Sequence, residues 1–275
     1  MLHYRLVVTD LDGTLLDGDA KITETAKEQI RNFQEAGGVF TIATGRNEES
    51  TRDFAGQIGV SAPVIAYNGA KVVDLASGAV LYEAALDPEM AAQSYIALRK
   101  LKKNAIVFQN NLPHVGEVNE VILKYLQRAR SEIKVIENAE DVRGIIDRTT
   151  KKILVIDPLR EFDLILGAIR PIFKDRLSYV FSDLEFFEIM PHGASKGNGL
   201  KAVARHLGIP IAETVAVGDY NNDVSMIEAA GVGVAVRNAD RDALAAARYV
   251  TDANCEDGVP NLLRRIVAGE RLVSR

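Results

Sequence analysis

Short apolar runs alternate with amphipathic segments through the first part of the chain. The first run, Leu6-Val7-Val8-Thr9, has no polar alternation, which is typical of a strand buried on both faces of a parallel sheet. Residues 22–36 carry apolar side chains at helical spacing and are followed by Gly37-Gly38, a pair that ends helices. The unit then repeats, with a predicted strand at 39–43, a helix ending near residue 58 and a strand at 64–66. This alternation predicts a parallel sheet with helices on both faces.

The alternation stops after Asn68-Gly69. The apolar runs at 71–74 and 79–82 predict a β-hairpin, which a purely parallel fold does not need. Strands predicted at 177–182 and 185–190 are joined by only two residues, so they must be antiparallel neighbours. Helices mixed with paired antiparallel strands are typical of an α+β unit.

The βα alternation resumes at Ser195 and continues to about residue 268. We therefore predict an α/β fold with a Rossmann-like, doubly wound parallel sheet core and an inserted α+β domain. The core is expected to comprise residues 1–82 and 190–275, and the inserted domain residues 83–189.

Composition and charge exclude several classes of function. Hydrophobic residues make up 47% and charged residues 26% of the chain, the profile of a soluble globular protein. The formal net charge is -5, aromatic residues are 6%, and no Lys/Arg block could follow a phosphate backbone, so nucleic acid is not an expected partner. No stretch approaches a membrane span, the N-terminus lacks a signal-peptide pattern, and Cys255 is the only cysteine. We expect a cytoplasmic protein that engages no membrane, and its oligomeric state stays open.

Polar residues follow directly after several predicted strands. Because ligands of a doubly wound sheet bind beyond the carboxyl ends of its strands, residues in these positions are candidates for chemistry. They are Asp10 and Asp12 after the first strand, Thr44-Gly45-Arg46 after the second, Asn68-Gly69 after the third, and Gly218 to Asp223 after the strand at 214–217. Lys196 adds a cation at the start of the helix that follows the inserted domain.

The carboxylates among these residues predict a bound cation. Uncompensated acids at one sheet edge repel each other, and hard oxygen ligands select Mg²⁺ over softer metals. The expected metal ligands are Asp10, Asp12, Asp219 and Asp223. An isolated Asp-x-Asp-Gly is most often a simple turn, and an isolated Lys196 would be a surface lysine, but their joint placement favours a site.

The pair Asp10 and Asp12 is suited to phosphoryl chemistry. Residues two apart in an extended chain point to the same side, and Gly13 lets the backbone approach a ligand closely. One carboxylate can attack phosphorus, giving an aspartyl-phosphate that water hydrolyses, while the other handles protons. The groups expected to bind the phosphoryl oxygens are the Lys196 ammonium, the Thr44 hydroxyl and the N–H groups near Gly13 and Gly45.

Several segments together resemble the motifs of the haloacid dehalogenase superfamily. They are Asp10-Leu11-Asp12-Gly13-Thr14, Thr44, Lys196, and Gly218-Asp219 with Asn222-Asp223, in that order along the chain. The Cof-type sugar-phosphatase subgroup is matched by Thr44-Gly45-Arg46, Tyr67-Asn68-Gly69-Ala70, Ser195-Lys196-Gly197 and Glu256-Asp257-Gly258-Val259. The resemblance covers nearly the whole chain and is least specific in the inserted domain, which corresponds to the subgroup's α+β cap.

The resemblance implies a role for each matching residue. Asp10 would be the nucleophile and a Mg²⁺ ligand. Asp12 would protonate the leaving oxygen and then activate water, while its backbone carbonyl contacts the metal. Asp219 would be the other direct protein ligand, and Asp223 would act through a metal-bound water or by orienting its neighbours. The cap would close over the site and select the substrate.

Three further residues are expected near the substrate. The resemblance implies that Asn222 helps to position the phosphate. Arg46 either contacts the substrate or pairs with a neighbouring acid such as Glu48 or Glu49. Asn68 either contacts the substrate or stabilises the turn that follows it, and we favour the substrate.

Polar residues of the inserted domain could also contact a substrate. Those closest together in sequence are Gln109, Asn110, Asn111 and His114. We predict instead that they belong to a solvated loop.

The resemblance implies a Mg²⁺-dependent phosphatase that acts on small phosphorylated metabolites, sugar phosphates in the first place. Asp12 favours ester hydrolysis over the superfamily's dehalogenase or phosphonate chemistry, because it can shuttle protons. A phosphomutase of the same superfamily stays open, as does a phospho-switch of the receiver type, although the inserted domain argues against the switch. A binding module with a vestigial site is disfavoured because every chemical position is filled.

Overall fold

Residues 2–110, 112–129 and 133–272 are described by a computed structural model of the chain. The chain divides into two compact units, the first containing the segments up to Glu83 and from Ser195 onward, the second Ala84–Ala194. The inserted domain thus begins one residue later and ends five residues later than the predicted range 83–189. The predicted end was too early because the last strand of the second unit continues to Pro191, which pairs back to Leu177.

The elements follow the predicted alternation closely. The strands are β1 (Leu6–Thr9), β2 (Val39–Ile42), β3 (Val64–Ala66), β4 (Lys71–Val73), β5 (Val80–Glu83), β6 (Ala105–Gln109), β7 (Leu112–Val115), β8 (Lys134–Val135), β9 (Ile153–Ile156), β10 (Leu177–Asp183), β11 (Phe186–Pro191), β12 (Thr214–Gly218), β13 (Val232–Val236) and β14 (Tyr249–Thr251). The α-helices are α1 (Glu24–Glu35), α2 (Glu48–Gln57), α3 (Pro88–Lys100), α4 (Glu120–Ala129), α5 (Phe162–Phe173), α6 (Lys196–His206), α7 (Val224–Ala229), α8 (Arg241–Ala246) and α9 (Gly258–Val267). Within the described ranges, no helix has the length and apolar character that crossing a membrane requires.

The first unit is built on a parallel sheet with the strand order β14-β13-β12-β1-β2. Alternate side chains of β1 point to opposite faces of this sheet. Val7 belongs to a core cluster with Phe33 of α1 and Leu263 of α9. Leu6 and Val8, whose side chains point to the opposite face, belong to a different cluster, which contains residues of α6 and α7. Helices therefore cover both faces, and the predicted α/β, doubly wound core is confirmed.

A smaller antiparallel sheet completes the first unit. The predicted hairpin is present, since β4 pairs antiparallel with β5, and β4 also pairs antiparallel with β3. A parallel bridge between Ala43 and Ile65 connects β3 to the end of β2. The loop after β3 consequently starts next to the loop after β2.

The second unit contains a mixed sheet with the order β10-β11-β9-β6-β7-β8. The β7–β8 pair is parallel and the other pairs are antiparallel. One face packs against a cluster that includes Tyr95 of α3 and Phe162 of α5. The other face packs against Ile122 and Leu126 of α4. This arrangement agrees with the α+β architecture predicted for the inserted domain.

The solvated loop predicted around residues 109–114 is wrong. Gln109 and His114 are buried in β6 and β7, which form an antiparallel hairpin. Gln109 accepts a hydrogen bond from Thr150 Oγ1 at 2.5 Å, so its polar atoms are satisfied inside the unit. Asn110 has a positive φ of 51° and lies at the turn, while Asn111 lies outside the described residues.

Candidate active site

The carboxyl ends of three strands lie side by side in the first unit. In the sheet register, Thr9 at the end of β1 is level with Ile42 of β2 and with Val217 of β12. The loops that follow these strands therefore begin at one edge of the sheet. These loops carry most of the residues predicted to do chemistry.

Lys196 is fully buried and binds two of the predicted carboxylates. Its Nζ donates to Asp10 Oδ1 at 2.6 Å and to Asp223 Oδ1 at 2.5 Å. Ser195 caps α6 by accepting a hydrogen bond from the Asn198 N–H, which fixes Lys196 as the first residue of the helix. A buried cation needs such partners, because removing an unpaired ammonium from water is very costly.

Asp223 is oriented by the backbone of its own loop. Its second oxygen, Oδ2, accepts hydrogen bonds from the N–H groups of Asp219 at 2.9 Å and Tyr220 at 3.2 Å. Gly218 permits this arrangement, since a Cβ at that position would lie 2.4 Å from the Asp223 Cβ. Asp223 therefore joins Lys196 to the loop after β12.

Asp219 is held by the loop that carries the first motif. Thr14 Oγ1 donates to Asp219 Oδ1 at 2.7 Å. Gly13 has φ of +79°, and a Cβ there would lie 2.3 Å from Asp219 Oδ2. Glycine is required here both for its left-handed backbone and for the close approach of the carboxylate.

The carboxylates of Asp10, Asp219 and Asp223 form a group that could hold a metal ion. Each offers an oxygen, and these oxygens lie within 4.8 Å of one another. Hard oxygen donors at this spacing fit a small divalent cation such as Mg²⁺. The side chain of Asp12, also predicted as a ligand, is not in this group.

Burial and mutual repulsion disfavour the ionised form of two of these carboxyl groups. Burial holds the pKa of Asp10 well above its ordinary value, Lys196 opposes this shift, and the charges of Asp223 and Asp219 add to it. Burial, followed by the charge of Asp223, raises the pKa of Asp219 to about 7. Burial opposes the charge on Lys196, but Asp10 and Asp223 outweigh it and keep the pKa of that ammonium above its ordinary value. A divalent cation would relieve this surplus of negative charge.

Asp12 forms a bidentate ion pair with Arg46. The guanidinium Nε donates to Asp12 Oδ2 at 2.7 Å, and Nη2 donates to Asp12 Oδ1 at 2.6 Å. The Phe54 ring lies 5.1 Å from the guanidinium carbon and supports it from one side. Glu48, one of the neighbouring acids considered as a partner for Arg46, accepts a hydrogen bond from Lys71.

The loops after β2 and β3 meet at Asn68. Its Oδ1 accepts a hydrogen bond from Asn222 Nδ2 at 3.1 Å, and a Cβ at Gly45 would lie 3.1 Å from its Nδ2. Thr44 is buried, and its Oγ1 accepts a hydrogen bond from the Arg46 N–H at 3.2 Å. The structure therefore connects these predicted phosphate-binding residues to one another.

The backbone at Asn68 is strained. Tyr67 and Asn68 have φ of 49° and 50°, a region that non-glycine residues rarely adopt in succession. Gly69 follows, and a Cβ there would lie 2.0 Å from the Ser195 carbonyl oxygen. Such strain is concentrated at functional sites, where the surrounding structure imposes it.

Two residues that were not among the predicted site residues also support the site. Asn238 donates through Nδ2 to the Gly13 carbonyl at 2.9 Å. Asn254 donates through Nδ2 to the Leu16 carbonyl at 2.8 Å. A signal for Asn238 was present, because it is a polar residue shortly after β13, at the same edge of the sheet as the other loops.

Comparisons with known proteins agree with the motifs. The model of the haloacid dehalogenase-like hydrolase family matches residues 7–263. Phosphatase YwpJ of Bacillus subtilis is 30% identical, with 96% of this chain and 100% of that protein covered. A haloacid dehalogenase-like hydrolase structure from B. subtilis is 28% identical and covers 94% of this chain and 99% of its own, with a TM-score of 0.84. The structure of BT4131, described as a HAD subclass IIB sugar phosphatase, has a TM-score of 0.82 at 23% identity and covers 95% of this chain and 98% of its own.

The chain belongs to the haloacid dehalogenase-like hydrolase family. The resemblance that the motifs indicated is confirmed over almost the whole chain. The protein is accordingly an enzyme, a hydrolase whose relatives include a named phosphatase.

Proposed function

We propose that the chain is a Mg²⁺-dependent phosphatase that hydrolyses small phosphorylated metabolites, sugar phosphates in the first place. The observation that carries the proposal is the group of Asp10, Asp219 and Asp223, two of which bind the buried Lys196. The phosphatase activity named for YwpJ and the sugar phosphatase activity named for BT4131 support the substrate class.

Asp10 acts as the nucleophile in this proposal. Lys196 binds Asp10 Oδ1 and so directs the other oxygen, Oδ2, toward phosphorus. A bond forms between Oδ2 and phosphorus while the bond to the ester oxygen breaks, which gives an aspartyl-phosphate. Water then attacks the same phosphorus, and inorganic phosphate leaves with Asp10 restored.

Asp12 acts as the general acid of the first step and the general base of the second. It gives a proton to the departing ester oxygen and takes one from the attacking water. In the structure both of its oxygens bind Arg46, which keeps the carboxylate in one orientation two residues from the nucleophile. The leaving oxygen must therefore replace one of the two Arg46 contacts, and Arg46 can then donate to the substrate.

Asp10, Asp219 and Asp223 would hold the Mg²⁺ ion, with Asp223 acting mainly by orienting Lys196. When bound, Mg²⁺ supplies positive charge that neutralises phosphoryl oxygens and permits the approach of an anionic nucleophile. The side chain of Asp12 lies outside the group, so we propose that its contribution to metal binding is limited to its backbone carbonyl.

The remaining predicted residues would bind the phosphate and orient the substrate. They are Gly13, Thr44, Gly45, Asn68, Lys196 and Asn222. Asn222 Oδ1 is buried and has no hydrogen-bond partner in the described part of the chain, so it can accept a hydrogen bond from a donor group of the substrate. We further propose that the second unit serves as the cap that selects the leaving group.

The proposal is tested by phosphate release from a panel of sugar phosphates. We expect steady release with Mg²⁺, loss of release with EDTA, and a decrease on the order of 10⁴-fold in kcat for Asp10→Asn. Asp163→Asn, at an exposed position of the second unit, is the control and should match the wild type. Activity that survives EDTA or Asp10→Asn would overturn the mechanism.

The same assay separates the alternatives. Release that needs no bisphosphate activator excludes a phosphomutase. A phosphorylated protein that persists for hours without multiple turnover would identify a phospho-switch instead.

A further inference from the structure

Two asparagines outside the predicted site hold the loop of the first motif. Asn238 donates through Nδ2 to the Gly13 carbonyl at 2.9 Å. Asn238 Oδ1 in turn accepts a hydrogen bond from the Asn254 N–H at 2.9 Å. Asn254 Nδ2 donates to the Leu16 carbonyl at 2.8 Å. Two carbonyls of one loop are thus each held by an amide side chain, and we call Asn238 and Asn254 the amide clasp.

The segment that carries Asn238 also holds Asp219. The Asp240 N–H donates to the Asp219 carbonyl at 2.8 Å. The Asp219 carboxylate accepts the hydrogen bond of Thr14, and a Cβ at Gly13 would lie 2.3 Å from its Oδ2. One short segment therefore fixes the Gly13 carbonyl and the Asp219 backbone together, and with them the position of the Asp219 carboxylate.

Because Asn238 is exposed, its hydrogen bond is expected to position the loop more than to stabilise the fold. Water can replace this hydrogen bond at little cost to folding. Water would not hold the Gly13 carbonyl in one direction, whereas the clasp ties it through Asn254 to Leu16. The clasp thus limits the motion of the loop against Asp219.

We propose that Asn238 and Asn254 are positioning residues that fix the loop from Gly13 to Leu16 against Asp219 and thereby set the affinity of the site for a divalent cation. This inference rests on the proposed function, in which Asp219 is a metal ligand. Groups that orient metal ligands typically change the affinity for the ion by about 10- to 100-fold when they are lost.

The test uses neutral substitutions of similar size. Asn238→Leu and Asn254→Leu remove the donating NH₂ group without adding a charge near the site. Mn²⁺ is titrated calorimetrically into the cation-free, full-length protein. We expect the Mn²⁺ affinity to fall about 10- to 100-fold in each variant. At saturating Mn²⁺, kcat for a sugar phosphate should return to within a few-fold of the wild-type value.

Gln34→Met is the matched control. Gln34 also donates through its amide to backbone carbonyls, those of Ile58 and Gly59, which lie at the end of α2 away from the carboxylate group. This variant should lose a similar amount of thermal stability and keep the wild-type Mn²⁺ affinity. Clasp variants that bind Mn²⁺ like the wild type, or that differ from it only in Tm, overturn the inference. If the wild type binds Mn²⁺ but releases no phosphate, the proposed function is overturned. The Mn²⁺ affinities of the wild type and the clasp variants can still be compared in that case.

Discussion

A buried ion cluster lies in each unit of the described chain, and the two clusters differ in their balance of charge. In the first unit, Lys196 shares its site with the carboxylates of Asp10, Asp219 and Asp223. In the second unit, Lys152 donates to Glu188 Oε1 at 3.0 Å, and the two side chains are 8% and 3% exposed.

The difference in charge balance indicates a different role for each cluster. In a buried pair of one cation and one carboxylate the two charges compensate each other. Removal of one partner is costly, because it leaves the other charge buried and uncompensated. In a cluster with a surplus of carboxylates the negative charges repel one another. Burial, followed by a smaller contribution from this repulsion, raises the pKa values of Asp10 and Asp219. The first cluster is therefore built for a cation and the second for a fixed internal contact.

Removal of Lys196 gives the largest expected effect. In Lys196→Met the carboxylates of Asp10 and Asp223 lose their shared partner. We expect kcat to fall at least about 10²- to 10³-fold and the free energy of unfolding to fall by about 3–5 kcal/mol. Urea denaturation should show that Mg²⁺ restores part of this stability. Equal stability of variant and wild type without Mg²⁺ would contradict the charge argument.

The corresponding change in the second unit should respond differently to Mg²⁺. Glu188→Gln leaves the Lys152 ammonium buried without its carboxylate, and we expect a loss of about 3 kcal/mol. Because Glu188 belongs to no group of acids that could hold a metal ion among the described residues, Mg²⁺ should not restore stability in urea denaturation. Glu185→Gln, at an exposed position nearby, serves as the control. Rescue of Glu188→Gln by Mg²⁺ would remove the distinction between the clusters.

Asp219→Asn should stabilise the cation-free protein. The folded-state pKa of about 7 lies above the ordinary value of 3.8, so the folded chain holds a proton that the unfolded chain has released between these pH values. The free energy of unfolding of the wild type therefore falls as pH rises from 3.8 to about 7. Asp219→Asn has no carboxyl group to ionise at this position, so its free energy of unfolding does not fall for this reason. We expect its Tm at pH 8 to exceed the wild-type value by a few degrees. Calorimetry without metal should show a smaller difference at pH 5, and added Mg²⁺ should stabilise only the wild type.

The smallest expected effect concerns His114 in the second unit. Burial, with a contribution from Lys134, lowers the pKa of this imidazole. As pH falls below about 6.5, the unfolded chain takes up a proton that the folded chain does not, so stability is complete above that pH and declines below it. Between pH 7 and 5, the free energy of unfolding of His114→Gln should change less steeply with pH than that of the wild type. The difference in slope should be at most about 1.4 kcal/mol per pH unit. Urea denaturation at several pH values measures this slope, and an unchanged slope would exclude the effect.

The predictability of the fold differed between the two units. Buried parallel strands such as β1 and β12 appear in sequence as uninterrupted apolar runs, which made the core predictable. Strand β7 was missed because its hairpin with β6 buries two polar residues, Gln109 and His114, and the hydrogen-bond partner of Gln109 is distant in sequence. Gln109, for example, binds Thr150, which is 41 residues away.

Within the site, spacing predicted the residues more easily than their partners. The convergence of Asp10, Asp219 and Asp223 followed from their positions after strands, at the edge where ligands bind, whereas Lys196 was predicted from its place at the start of a helix. The ion pair between Asp12 and Arg46 joins residues 34 apart and was not expected, since only neighbouring acids had been considered. Asn238 was missed because a single asparagine after a strand resembles any other turn residue.

For the first unit, the sequence by itself determined the order of strands and helices and the chemical groups at the carboxyl edge, because apolar periodicity and strand ends are local properties of the chain. Only the tertiary structure decided which groups touch. It placed Lys196 between Asp10 and Asp223, assigned Arg46 to Asp12, and left a surplus of negative charge in one cluster and none in the Lys152–Glu188 pair. These choices depend on distances between segments that are far apart in sequence, and such distances are set by packing rather than by local pattern.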